Sequence, residues 1–299
     1  MSKYNLAIIL SIYNDEKYLV ESLDSIRNSI VDTISTQVVI IDDGSTDSSY
    51  EIASAYCSEE SWKIIKTKNS GLATALNIAI SYCDAKYIVR MDSDDICILG
   101  RFEKLFGIME ANPDIDVLGS YVQVIGERSG LITHPLDDKK IKSKLVFEPS
   151  FVHPSVIIRS EILEDQSYNS SYSVAQDYRL WVDLAINNAK MANTDEVLLK
   201  YRVSNDNVTS KRRKDQILFA REARTILIQY YVPNLSDEEV EFFNYLCDGH
   251  QNGSQTSLLE KLEIIKKIFK GLVLSKDMDG IFITKMFIRK CIARTIQAL

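Results

Sequence analysis

Paired cysteines are missing. Cys57, Cys83, Cys97, Cys247 and Cys291 lie far apart with no CxxC among them. An odd, scattered set argues against a disulfide framework and reads as reduced thiols in a cytoplasmic protein. Glycine (11) and proline (5) are too few for a collagen-like or low-complexity chain. No apolar run reaches the about 18 residues that a membrane-spanning helix needs. The run Leu6–Leu10 follows Lys3 but meets Asn14-Asp15-Glu16 where a signal peptide needs small residues, so a buried strand is expected there. Excess positive charge is lacking too. Thirty-five Lys and Arg against 42 Asp and Glu give a net charge of −7, which argues against nucleic acid as a partner. No G-x-G-x-x-G follows the first apolar run and no Walker loop occurs, so dinucleotide Rossmann and P-loop chemistry are set aside.

What is there is the balance of a soluble globular protein, 45% hydrophobic and 26% charged over 299 residues. That length makes one large domain or two ordinary ones, with a core that needs no staples. The charge is uneven. Gln251–Leu299 holds nine Lys/Arg and four Asp/Glu, a net of +5, which leaves −12 on the first 250 residues. A basic end on an acidic body is expected to meet something anionic.

Apolar runs and helical patterns alternate. Leu6–Ile12, Val38–Ile41, Trp62–Ile65 and Tyr87–Val89 read as strands. Between them, Leu19, Leu23 and Ile26, then Ile52, Ala53 and Tyr56, then Leu72, Ala75, Leu76 and Ala79 have helical spacing. This order predicts βαβ units and a parallel sheet covered on both faces. Ligands of such sheets bind beyond the carboxyl ends of the strands. Tyr13-Asn14-Asp15, Asp42-Asp43 and Asp92 to Asp95 stand at those ends. The middle mixes strands at Val117–Ile125, Ser155–Ile158 and Val197–Tyr201 with a helix around Asp177–Asn187, and the pattern from Lys211 onward is helical.

Asp92-Ser93-Asp94 sets alternate carboxylates at a strand end. Two hard oxygen ligands suit manganese or magnesium (Mn2+ or Mg2+) when a diphosphate supplies the other oxygens. The same residues also fit a solvated acidic turn. Seven segments in order give the wider context: Ile9–Tyr18 (ILSIYNDEKY), Val39–Asp47 (VIIDDGSTD), Asn69–Asn77 (NSGLATALN), Tyr87–Asp95 (YIVRMDSDD), His153–Arg159 (HPSVIIR), Gln176–Trp181 (QDYRLW) and Leu199–Arg202 (LKYR). Together they resemble the ordered motifs of glycosyltransferase family 2, over roughly residues 4–210.

The resemblance implies an α/β GT-A fold, with a nucleotide-sugar domain over residues 1–210 and a helical C-terminal extension over 211–299. It also implies inverting transfer of a hexose or N-acetylhexosamine from a UDP-sugar to a glycan acceptor, as in bacterial O-antigen, capsule or exopolysaccharide synthesis. Tyr13, Asp15, Asp42, Asp43, Asn69, Gly71, Asn77, Asp92 and Ser93 match positions around the nucleotide sugar. One of Asp42 and Asp43 is expected to accept the uracil imide N–H, while Asp43 also suits a turn role before the next helix. Arg90 either contacts the donor or orients the carboxylates. Asp94, with Asp92 beside it, matches the metal position, and Asp95 helps place metal or sugar. Asp177 matches the catalytic base. Gln176 stands where the family usually has Glu, and offers the acceptor a hydrogen bond without charge. Ser204 replaces a His that many members carry, so no third protein ligand is implied, and His153 reads as a structural corner.

Phe287, Ile288, Cys291, Ile292, Thr295, Ala298 and Leu299 share one helical arc, with Lys285, Arg289, Lys290 and Arg294 mainly on other faces. Such a helix suits an anionic membrane surface, or else packs on the core or forms a homodimer. A polyprenyl-diphosphate-linked acceptor would make peripheral attachment useful. The rival readings are a sugar-phosphate nucleotidyltransferase and a carbohydrate-binding protein with a decayed transferase site. The first lacks its Gly-rich phosphate loop, and Asp92, Asp94 and Asp177 speak against the second.

Overall fold

The computed structural model describes residues 2–58, 60–164, 166–204, 212–249 and 257–297. The chain opens with β1 (Tyr4–Ile12), α1 (Glu16–Ser29), β2 (Thr36–Asp42), α2 (Ser49–Tyr56), β3 (Trp62–Lys66), α3 (Leu72–Ser81) and β4 (Ala85–Met91). Next come β5 (Ile96–Cys97), α4 (Arg101–Ala111), β6 (Val117–Gly126), β7 (Gly130–Ile132), α5 (Asp138–Leu145), β8 (Ile157–Arg159), α6 (Glu161–Glu164), α7 (Gln176–Ile186) and β9 (Met191–Val203). Among the described residues, four helices close it: α8 (Arg213–Tyr231), α9 (Asp237–Asp248), α10 (Leu258–Leu274) and α11 (Gly280–Gln297).

The sheet runs β3-β2-β1-β4-β8-β6-β9-β5, with β7 on β6. The β1, β2, β3 and β4 pairings are parallel, whereas β8 is antiparallel to both β4 and β6. Period-two alternation sorts the buried side chains by face. Leu6, Ile8, Leu10 and Ile12 of β1 meet Leu19, Leu23 and Ile26 of α1 and Phe102, Leu105 and Met109 of α4. Ala7 and Ile9 face the other way, toward Leu76 and Ala79 of α3 and Trp181 of α7. Registers Ile12↔Asp42 and Leu10↔Met91 bring the carboxyl ends of β1, β2 and β4 to one edge.

The longest elements that escape the sequence pattern are α4, α5 and the first half of β9. Nothing is expected between Asp95 and Val117, yet α4 forms there, because Gly100 takes the left-handed conformation (φ +80°) that starts it. α5 carries four lysines in eight residues and buries Ile141 and Leu145 all the same. β9 has 13 residues rather than the five of Val197–Tyr201. Its polar first half pairs with β6 from Val117↔Met191 onward, across an irregularity at Ser120 and Tyr121.

The helices from α8 onward share the apolar core of one sheet face. Phe147, just after α5, lies 5.6 Å from Phe243 of α9 and 5.2 Å from Phe287 of α11. Capping boxes at Ser236/Glu239 and Ser257/Glu260 start α9 and α10. Among the described residues, no helix is long and apolar enough to cross a membrane.

Candidate active site

The loops after β1 and β2 lock each other. Asn14 N–H donates to Ser45 Oγ (3.1 Å), Thr46 N–H to Asn14 Oδ1 (2.8 Å) and Asp15 N–H to Ser49 Oγ (2.8 Å). Asn14 adopts φ +57°, a left-handed state that asparagine tolerates. The lock fixes Asp15, whose Oδ2 accepts from Tyr13 N–H (3.0 Å) and Ser93 Oγ (2.6 Å). Burial raises the Asp15 pKa above the usual carboxylate range. Tyr13 leaves its ring 47% exposed at the rim, where a base could stack.

Asp42 and Asp43 are both buried. Asp42 Oδ1 accepts from Ser45 N–H (3.0 Å), while its Oδ2 has no hydrogen bond and lies 3.8 Å from Lys66 Nζ. Asp43 holds the loop before α3: Oδ1 accepts from Ser70 N–H (2.8 Å) and Oδ2 from Gly71 N–H (2.9 Å). Asn69 and Gly71 are exposed in that loop, at the sheet edge where β2 ends. Gly44 makes this possible, with φ +85° and room for no Cβ, which would stand 2.9 Å from Asn69 N. Gly44→Ala should therefore cost on the order of 1–3 kcal/mol in chemical denaturation and push the Asn69 loop outward.

Asn77 is placed elsewhere. Its Nδ2 donates to Tyr168 O (2.8 Å) and its Oδ1 accepts from Tyr168 N–H (2.9 Å), so the amide clamps the loop that leads to α7. Tyr168 Oη lies 2.7 Å from His153 Nε2, inside the turn His153–Ser155. Burial, with Arg90 adding to it, holds His153 neutral. That is the structural corner expected of it.

The β4 end carries the acidic cluster. Asp92, Asp94 and Asp95 offer oxygens all within 4.8 Å of one another. Burial first, then Asp92 and Asp15, push Asp94 up to about 7. Burial first, then Asp92 and Asp94, raise Asp95 well above its ordinary value. Asp95 Oδ1 accepts from Arg202 N–H (2.7 Å), and its buried Oδ2 has no hydrogen bond among the described residues. Arg90 is 3% exposed and ion-paired with Asp92. Its Nε and Nη1 have no hydrogen-bond partner among the described residues. Three converging carboxylates, with the pKa values of Asp94 and Asp95 raised and one buried oxygen unbonded among the described residues, fit a hard divalent cation.

Asp177 stands at the second position of α7, after Ala175 in a left-handed conformation (φ +56°). A side-chain cap is thus not its role. Burial raises its pKa, against the Tyr178 N–H and Arg90, and Asp92 adds to the rise. Asp177 therefore lies within electrostatic reach of the Arg90–Asp92 pair. Gln176, 7% exposed, is buried next to it.

Two residues join the site that sequence reasoning left out of it. Arg202 donates through Nε to Asp94 O (2.7 Å) as well as to Asp95, and its guanidinium lies 4.2 Å from the Tyr18 ring centre. Its signal was present in the Leu199–Arg202 segment. Arg101 is fully buried and donates through Nη2 to the carbonyls of Arg90 and Pro154, tying the β4 end to the His153 turn. No local pattern marked it.

Comparison with known proteins agrees with this geometry. The signature of Glycosyl transferase family 2 matches residues 7–165. An uncharacterised glycosyltransferase of Methanocaldococcus jannaschii is 33% identical over 226 residues, 73% of this chain and 77% of that protein. The UDP-Gal:alpha-D-GlcNAc-diphosphoundecaprenol beta-1,3-galactosyltransferase of Escherichia coli is 31% identical over 71% of this chain and 77% of that one. S. aureus TarS 1–349 in complex with UDP-GlcNAc superposes with a TM-score of 0.67 at 18% identity, over 90% of this chain and 80% of that one. The mixed α/β sheet with C-terminal helices is the GT-A-like arrangement expected.

Proposed function

The chain belongs to glycosyl transferase family 2, and from that premise we propose that it moves a hexose or N-acetylhexosamine from a UDP-sugar to a glycan acceptor, with inversion. The observation that carries this reading is the Asp92, Asp94 and Asp95 cluster at the β4 end, on the sheet edge that also holds the ends of β1 and β2 and within electrostatic reach of Asp177. The E. coli relative named for a diphosphoundecaprenol substrate and the TarS complexes with UDP and UDP-GlcNAc support a uridine donor and a lipid-linked acceptor for surface polysaccharide. Residues 1–210 form the transferase domain in this reading and 211–299 its helical extension, acting at the cytoplasmic side.

Tyr13 and the Asn69–Gly71 edge frame the nucleoside. Asp43 holds that edge in place, and a uracil imide N–H reaching its carboxylate would replace a bond from Ser70 or Gly71. Asp15 and Ser93 fix the diphosphate side. Asp94, Asp92 and Asp95 would hold manganese or magnesium. Such a cation, when bound, offsets the charge that develops on the leaving diphosphate. Arg90 keeps Asp92 oriented and has two further N–H groups to offer a donor oxygen. The acceptor hydroxyl attacks the anomeric carbon as the sugar–phosphate bond breaks, and Asp177 takes the hydroxyl proton. Gln176 is buried beside that base and in reach of an acceptor group. A single displacement gives the inverted anomer.

UDP should bind with a divalent cation more tightly than without, as read by calorimetry. A panel of nucleotide sugars with manganese should show the right donor by the largest thermal shift, since ligand binding stabilises by mass action. Tight binding of another nucleotide with none of any uridine nucleotide would overturn the donor assignment.

A further inference from the structure

α11 enters the core with Ile283, Met286 and Phe287, and with Lys290 on Glu148. Phe287, at one edge of the apolar arc read from the sequence, therefore points inward, while Ile288 and Ile292 toward the other edge are exposed. The side chains of Thr295, Ala298 and Leu299 in that arc lie outside the described residues. A different sector faces outward. Ile281, Ile288 and Ile292 are 72%, 55% and 54% exposed. At about 100° per residue they fall in one narrow stripe, with Lys285 and Arg289 exposed along its edge.

α10 repeats the pattern. Leu259, Leu262 and Leu274 are 76%, 53% and 73% exposed, with Lys266 and Lys270 exposed among them. Gly280 lies against Val273, so the turn between the helices gathers Val273, Leu274, Lys276 and Ile281 at one tip. Single exposed apolar residues are ordinary, but a run of them on two adjoining helices marks a contact surface.

Charge selects the occupant. Residues 257–297 carry nine Lys/Arg and four Asp/Glu, against −12 on the first 250 residues. A two-fold contact with a second copy would set this basic face against itself. An anionic bilayer would receive the isoleucines and leucines between its headgroups while the lysines meet lipid phosphate. We propose that the outer face of the α10–α11 hairpin docks on an anionic membrane surface, with Ile281, Ile288 and Ile292 as the inserted stripe. This surface rests on no part of the sugar-transfer reading.

Flotation of the full chain with vesicles tests it. Binding to phosphatidylcholine vesicles containing phosphatidylglycerol is expected, with little to phosphatidylcholine alone, and added salt should release it. The variant Ile281→Ser/Ile288→Ser/Ile292→Ser should lose about tenfold or more of that binding, and Lys270→Gln/Lys285→Gln should lose the preference for anionic lipid. The thermal melt and the UDP-induced shift of each variant check that fold and nucleotide site are intact. Unchanged vesicle binding by the isoleucine variant overturns the proposal. So does a dimer in sedimentation velocity that the same variant abolishes, which would give the face to a second copy.

Discussion

Asp177→Asn should keep the binding of UDP and manganese and lower turnover by roughly 100-fold or more, the usual size of general-base catalysis. Asn preserves the shape at the second position of α7 but takes no proton at neutral pH. The raised pKa of Asp177 adds a pH signature. The base must be ionised to act, so the acid limb of kcat should lie above the ordinary carboxylate range and vanish in the variant. Stability follows the opposite sense. A carboxylate whose folded pKa is raised contributes most below its unfolded pKa of about 3.9 and loses that contribution as pH rises toward the folded value. Asp177→Asn should therefore melt no lower than the parent at neutral pH. Near-normal transfer by the variant would remove Asp177 as the base, and a product with retained anomeric configuration would exclude the single displacement.

Asp94→Asn should lose cation-dependent donor binding and turnover together. A bound cation supplies several kcal/mol of charge stabilisation, so the fall should be about 100-fold or more. The variant is also expected to raise the melting temperature of the metal-free protein at pH 8. The pKa of Asp94, about 7 in the folded chain, lies above its unfolded value, so metal-free stability falls as pH rises from about 4 to about 7. Manganese should cancel that fall in the parent, because the cation replaces the proton, and do little for the variant. Calorimetric scans at pH 5 and pH 8, with and without manganese, give all four quantities. A metal-free parent that grows more stable across this interval would contradict the reading of the cluster.

The order of strands and helices up to β4 was legible in the residues. The near-continuous apolar runs Leu6–Ile12 and Val38–Ile41 specify two buried faces, and polar residues can follow such strands only at their ends. The seven motif segments then mark the same edge. The amide of Asn77 was not legible: its spacing says helix, but its partner Tyr168 lies 91 residues away. Arg101 was invisible for the same reason, since a buried guanidinium satisfied by the carbonyls of Arg90 and Pro154 follows no periodicity.

The C-terminal helices divide most clearly into what local pattern decides and what packing decides. Heptad-like spacing of apolar residues establishes that α11 is an amphipathic helix, and the charge count establishes that its surroundings are basic. Which apolar residues turn inward depends on the shape offered by Phe147 and Phe243, elements that meet α11 only after the sheet has formed. Ile283 and Phe287 fit that shape while Ile281 and Ile288 are left outside, because a helix can bury one sector against a core and must leave the opposite one to solvent or to a partner. In the same way the sequence put Asp92 and Asp177 on the chain, but only the packing of α7 against the sheet brings the two within electrostatic reach of each other. Their mutual electrostatic influence is therefore a property of the tertiary structure.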